Sequence, residues 1–351
     1  MSIIQFDSGS AYDFFISLVV LHNPASFGLR PSWAAGVRSR LPASQREFLE
    51  RSIPFLGAPL AWLHDLVDPP RNAAAALDAL GQISPADRLA RLTFTPETPA
   101  RLRQALLETA DSGQASPAAR ELLQAELGAK RHPPPPATLD HCLRAWSRPD
   151  SFGDELLHAL RAYLAVYFAA EEARIQPVLL AGLENARRLA AEYPLTEVIE
   201  TLSRGVSIED LGSAGRLTLI PSYWSTPLIF FHQLAEKRAL LVFGCRPAHL
   251  SLAGGGAVPP TLVETFKALG DPTRLRILRF LAQQPHTPAA LAQRLRLRPP
   301  TVVHHLNILR LAGLVHISLH AGGERRYALR RGGVNDAFAA LQPFLDTPEE
   351  T

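Results

Sequence analysis

The sequence predicts a mainly α chain of the α+β class. A large helical N-terminal region would carry a small antiparallel sheet, and a short C-terminal unit of helices would close on a two-stranded hairpin. Three observations predict this. Up to about residue 205, apolar residues recur at helical spacing between prolines and turn residues. Between 216 and 245 the pattern changes to short β-type runs. From 260 onward, proline-opened helices follow one another closely and give way to two strands around a glycine turn.

Composition sets the outer bounds. A chain of 351 residues suits two or three domains, and 47% hydrophobic with 20% charged residues is ordinary for a globular protein with buried cores. The net charge of +3 says little, but its distribution says more. From residue 260 on, twelve Lys/Arg face seven Asp/Glu, a net +5 that leaves −2 for the rest. A basic excess on one short unit is what a polyanion partner needs; the plainer alternative is an Arg-rich domain that is basic by chance.

The apolar octet 14–21 lacks a basic flank, follows Asp13 and is too short to span a bilayer, so it predicts a buried helix. No other run approaches membrane length. The expectation is a cytoplasmic protein with no membrane partner. Cys142 and Cys245 form no motif and are expected as free buried thiols.

In chain order, the helical region predicts helices over 12–21, 44–53, 59–67, 73–80, 86–92, 99–110, 118–127 and 139–146, then two long ones over 153–170 and 175–192. Asp68-Pro69-Pro70 and Asp111-Ser112-Gly113 separate them as turns. The proline run 132–136 reads as a stiff spacer, or less readily as a ligand for a proline-binding module. The β-type runs are 216–222, 227–232 and 239–245, with 233–237 folding the last two into a hairpin. The stretch 251–257 is Gly-rich and predicts a flexible linker. The expected organisation is a large domain over 1–250, a linker over 251–259, a second domain over 260–345 and a tail over 346–351.

The C-terminal unit is the most legible. Asp271-Pro272 predicts an N-cap with proline at the first helical position, opening a helix over 273–282. Thr287-Pro288 repeats the device for 289–295. Residues 296–299 then separate that helix from the next, which is helix-turn-helix spacing. The following helix, 299–312, is amphipathic. Val302, Leu306 and Leu309 share one face, while Val303, His304 and Asn307 point the other way. Gly313 sits where a left-handed C-cap would end it. Strands over 315–319 and 325–329, joined by a turn at 321–324, make a wing carrying Arg325 and Arg326. The unit is a winged helix-turn-helix.

Leu269-Gly270-Asp271-Pro272-Thr273-Arg274-Leu275-Arg276-Ile277-Leu278, followed by Pro300-Thr301-Val302-Val303-His304-His305-Leu306, resembles the ArsR/SmtB family of bacterial transcriptional regulators. The resemblance covers roughly 260–344. Where the family usually has Ser and Gln at the front of the reading helix, this chain has Arg298 and Pro299; Val303 stands where the family usually has Ser. More weakly, Leu219-Ile220-Pro221-Ser222 and the aromatic start at Tyr12, Phe14 and Phe15 resemble the long N-terminal region of some actinobacterial and related regulators of this type.

The resemblance implies a homodimer that binds an inverted repeat in double-stranded DNA. Thr301 and His304 would reach base edges, with Asn307 and Arg310 further along and Val303 offering an apolar contact; Arg325 and Arg326 would lie near phosphates or in a minor groove. On this reading 260–345 is the DNA-binding domain and 1–250 a signal-binding or dimerisation domain, where an unknown small-molecule or protein signal would act.

No chemistry competes with this reading. The chain lacks GxGxxG, P-loop, GxSxG and CxxC patterns, so no enzyme and no cofactor is expected. The family's metal-site positions are empty of ligands: 287–295 holds no Cys, His, Asp or Glu, and 334–344 offers only Asp336, so no metal is expected. Glu171-Glu172 reads as a solvated face. Trp33, Trp62, Trp146 and Trp224, with their aromatic neighbours, are either core or the lining of an apolar pocket. Two rival classes remain: an enzyme in the N-terminal domain with an auxiliary DNA-binding unit, and a winged helix that grips protein.

Overall fold

A computed structural model describes residues 3–27, 29–66, 72–129, 136–203, 206–208, 215–226, 228–235, 237–247, 260–319 and 325–346. The turn 68–70, the run 132–135, the linker 251–259, the wing turn 321–324 and the tail beyond 346 lie outside these residues.

The chain opens with β1 (Ile3–Phe6) and α1 (Ser10–His22). Eight helices follow: α2 (Pro31–Arg38), α3 (Ala43–Leu56), α4 (Leu60–His64), α5 (Ala73–Gln82), α6 (Pro85–Thr93), α7 (Ala100–Ser112), α8 (Pro117–Ala129) and α9 (Pro136–Ser147). Next come α10 (Pro149–Tyr163), a π-helical turn (Leu164–Phe168), α11 (Ala169–Glu192) and α12 (Leu195–Leu202). After α12 come β2 (Val206–Ile208), β3 (Arg216–Ser222), β4 (Ile229–Ala235) and β5 (Arg238–Gly244). The C-terminal unit is α13 (Pro260–Leu269), α14 (Pro272–Leu281), α15 (Pro288–Leu295), α16 (Pro299–Leu311), β6 (Val315–Leu319), β7 (Arg325–Leu329) and α17 (Arg331–Asp346).

The octet 14–21 is indeed a buried helix. Residues Ser10 to Leu18, Val20 and Leu21 of α1 are all sealed from solvent, so the helix is hydrophobic on nearly every side and sits in the middle of the helical core. Among the described residues, no helix is long and apolar enough to cross a membrane. The two long helices expected over 153–170 and 175–192 run on through the π turn without a break. Helices α2 and α12 were not expected; each is only eight residues long, too short for a clear period.

The sheet needs a correction. Its order is β1-β3-β5-β4, and only β4 and β5 pair antiparallel, as the expected hairpin. β1 pairs with β3 in parallel, and β3 with β5 in parallel. The physical reason is burial on both faces. Leu217, Leu219, Leu241 and Phe243 pack with Leu189, Val198 and Ile199 of α11 and α12. The alternating Ile220, Leu240 and Val242 face the main helical core. Strands covered on both sides read as continuous apolar runs and favour parallel pairing.

The tryptophans and their neighbours pack on one another. Trp33 stacks on Trp224 at 5.2 Å, and Phe94 on Trp146 at 5.0 Å. Phe14 meets Phe168 edge-on at 5.2 Å. Glu172 is not part of a solvated face. Its Oε1 accepts from Ser10 Oγ and from the Ala73 backbone N–H, tying the starts of α1 and α5 to α11. Cys142 is buried and Cys245 half-buried, and both are free thiols.

Candidate nucleic-acid interface

The motif Asp271-Pro272-Thr273-Arg274 joins two helix ends. Asp271 is the N-cap of α14, its carboxylate accepting from the Arg274 backbone N–H at 2.9 Å. The Arg274 side chain turns back and donates to the carbonyls of Ala268 and Lys267, both at 2.7 Å, closing the end of α13. The Arg274 N–H holds the Asp271 carboxyl below its usual range. Thr287 caps α15 the same way, through the Ala290 N–H at 3.2 Å.

Helix α15 ends on Arg296, which takes a left-handed φ of 56°, and Leu297 N–H bonds back to the Ala292 carbonyl at 2.9 Å. That tight turn sets α16 against α15. At the front of α16, Arg298 is the N-cap and gives no side-chain bond, so the departure from a capping serine leaves those amides uncapped by side chain. Gly313 closes α16 with φ 68°, where a Cβ would be strained.

The rotation of α16 matches expectation. Val302, Leu306 and Leu309 are fully buried against Ile277, Leu291 and Leu314. Thr301 and His304 are exposed. Val303 is half-buried. Asn307 and Arg310 are also half-buried, and each already has a partner within the protein. His305 turns inward: its Nδ1 is sealed from solvent, and burial holds its imidazole below the usual range while nearby Asp271 pulls the other way.

The wing strands pair antiparallel, from Val315 with Leu329 to Leu319 with Arg325. His286 adds a bridge on the other edge of β7, bonding Tyr327 in both directions at 2.9 and 2.8 Å. Arg325 and Arg326 are both exposed. Exposed Arg296 and Arg298, just ahead of α16, extend the basic surface; neither was expected there from sequence, which noted Arg298 only as a departure from the family's serine. Their spacing with Arg294, every second residue before the helix, was the available signal.

One feature lies outside any local pattern. β2 pairs in parallel with β6, Val206 with Ile317 and Ile208 with Leu319, so the first 250 residues donate a strand to the wing's sheet. Glu200 at the end of α12 adds to the contact, with Oε1 lying 3.0 Å from His316 Nδ1.

Three short helices with this turn, followed by a hairpin, define the class: a winged helix-turn-helix regulator. A family model described as a helix-turn-helix domain matches residues 269–317. The transcriptional repressor SdpR of Bacillus subtilis is 40% identical over 82 residues, which is 23% of this chain and 89% of that protein. The chain thus belongs, through its C-terminal unit, to the ArsR-type family of helix-turn-helix transcriptional regulators. An uncharacterised HTH-type transcriptional regulator of Methanocaldococcus jannaschii is 49% identical over 53 residues; the match spans 15% of this chain and 60% of that protein's length. An ArsR-like transcriptional regulator from Rhodococcus sp. RHA1 is 32% identical over 24% of this chain and 76% of its own, with a TM-score of 0.23.

Proposed function

We propose that the protein is a cytoplasmic transcriptional repressor that binds an inverted-repeat operator as a homodimer. The observation that carries this is the face of α16. Val302, Leu306 and Leu309 turn into the core, which leaves Thr301 and His304 exposed together at the helix front. A helix front of that kind fits a major groove, where such groups meet base edges. Val303 offers a methyl contact beside them, and Asn307 and Arg310 lie on the next turns. Arg325 and Arg326 on the wing, with Arg296 and Arg298, suit phosphates or a minor groove. Repression is supported by the name of the Bacillus subtilis relative.

A dimer is supported by Phe338 on α17. It is 56% exposed and sits edge-on to Phe266 of α13 at 5.9 Å. An aromatic pair on the unit's surface suits burial against a second copy. The region 1–250 would receive the signal.

The test is selection from a randomised duplex pool at low salt with the full-length protein. Enrichment of an inverted repeat with half-sites about one helical turn apart, or a multiple of it, is the expected outcome. No enrichment over the input pool would remove the DNA reading and favour a winged helix that grips protein.

A further inference from the structure

Helices α3, α6, α7, α8 and α9 leave an apolar cleft of about 130 Å³ between them. Three rings line it: Phe55 near the end of α3, Phe94 just past α6 and Trp146 on α9. Leu102 and Leu106 of α7 and Leu123 of α8 face the same space, and all three are buried. Packed interiors keep few voids larger than a water molecule, so a space of this size among buried side chains is uncommon. An apolar cavity of about 150 Å³ stays dry and holds one benzene ring. The cleft is therefore sized for a single ring and not for two.

The aromatic wall is held in place. Phe94 stacks on Trp146 with ring centroids 5.0 Å apart and planes 24° from parallel. The Arg103 guanidinium covers the Phe94 ring at 4.9 Å, and its Nη2 donates to the Thr95 carbonyl at 2.8 Å. Arg103 itself is not part of the described lining. The hydroxyls of the lining are already bonded to nearby backbone. Thr93 Oγ1 donates to the Leu89 carbonyl at 2.7 Å, and Thr98 Oγ1 accepts from the Thr95 N–H at 2.9 Å. Glu126, which is exposed, is the one charged residue of the described lining. A carboxylate placed here would lose its water and meet no cation, whereas a neutral ring loses nothing polar.

We infer that this cleft binds a small, uncharged, single-ring aromatic molecule, packed against Phe94, Trp146 and Phe55. Ring-on-ring contacts add to the burial of apolar surface and give such a ligand its preference over an aliphatic one of equal size. The site stands on the geometry of the helical region and not on the DNA reading; joined to that reading, it names the chemical class of the signal.

The experiment follows the indole N–H resonances of full-length protein, with toluene as the probe. Trp146 is the one tryptophan of the described lining. Its resonance, assigned with Trp146→Phe, should shift saturably with toluene while those of Trp33, Trp62 and Trp224 stay in place. Benzoate, the charged counterpart, should move none of them. Leu106→Phe should fill the cleft and weaken toluene by roughly tenfold or more, as apolar pockets do against one misplaced group. Leu106→Ala only removes atoms and serves where the phenylalanine variant does not fold; it should admit naphthalene, which the wild type should refuse. All four resonances drifting together without saturation overturns the site. So does equal toluene affinity in wild type and a folded Leu106→Phe, or naphthalene refused by Leu106→Ala. Benzoate binding as tightly as toluene overturns the uncharged class, and naphthalene binding to wild type overturns the single-ring size. None of these readings involves DNA, so a failure of the DNA reading would show separately, in the duplex selection.

Discussion

Asp13 on α1 accepts a 2.8 Å hydrogen bond from the Ser222 hydroxyl at the end of β3, across 209 residues of chain. The same carboxylate oxygen accepts from the Trp224 backbone N–H at 2.8 Å. The other oxygen, Oδ2, is sealed from solvent with no hydrogen-bond partner. Burial pushes this carboxyl up to about 6, against the pull of the Trp224 and Ser222 bonds and the Arg246 charge.

Asp13 therefore gives the fold a pH dependence of known sign. The folded protein keeps this proton up to about pH 6, whereas the unfolded chain releases it near 3.8. The stabilisation is complete below 3.8 and is lost as pH rises through 6, on the order of 3 kcal/mol in total. Asp13→Asn keeps an oxygen for Ser222 and Trp224 but does not titrate. Melts of both proteins from pH 4 to 7 should show the variant gaining on wild type as pH rises; parallel curves would contradict the buried, proton-holding role.

His304 and His305 are neighbours with opposite surroundings. His304→Ala should leave the melting temperature nearly unchanged and cost about 1–3 kcal/mol at the preferred site, with much less loss at a scrambled duplex. His305→Ala should lower stability before specificity. Paired titrations and melts decide it. Loss of stability in His304→Ala with an intact specificity ratio would take Thr301 out of the interface as well.

Arg325 and Arg326 should act through phosphates. The double alanine variant should weaken binding to all sequences and reduce the salt slope by roughly one unit per lost contact. Equal slopes for variant and wild type would place the wing away from DNA.

The Asp271 and Arg274 pair should be separable from DNA contact. Asp271→Ala should cost the C-terminal unit about 1 kcal/mol, the usual loss of an N-cap. Arg274→Lys should not restore the arginine, because one ammonium does not match the two carbonyl bonds that the guanidinium makes from separate nitrogens. Hydrogen exchange across α13 and α14 measures both, and full protection in Arg274→Lys would count against the helix-end role.

By itself the sequence determined whatever rests on contacts a few residues apart. The caps at Asp271 and Thr287, the left-handed Gly313, the rotation of α16 about Val302, Leu306 and Leu309, and the β4–β5 hairpin are all short-range, and each residue type has one dominant physical reason to be there. The buried α1 was legible for the same reason. Only the tertiary structure decided that Ile3–Phe6 lies beside β3, that Glu172 ties two helix starts, that Asp13 meets Ser222 and that β2 completes the wing's sheet. Those partners are distant in sequence. Which strand edge or buried donor a segment finds depends on how the whole chain closes its long loops to cover apolar surface, and a three- or four-residue strand carries too few side chains to announce its partner.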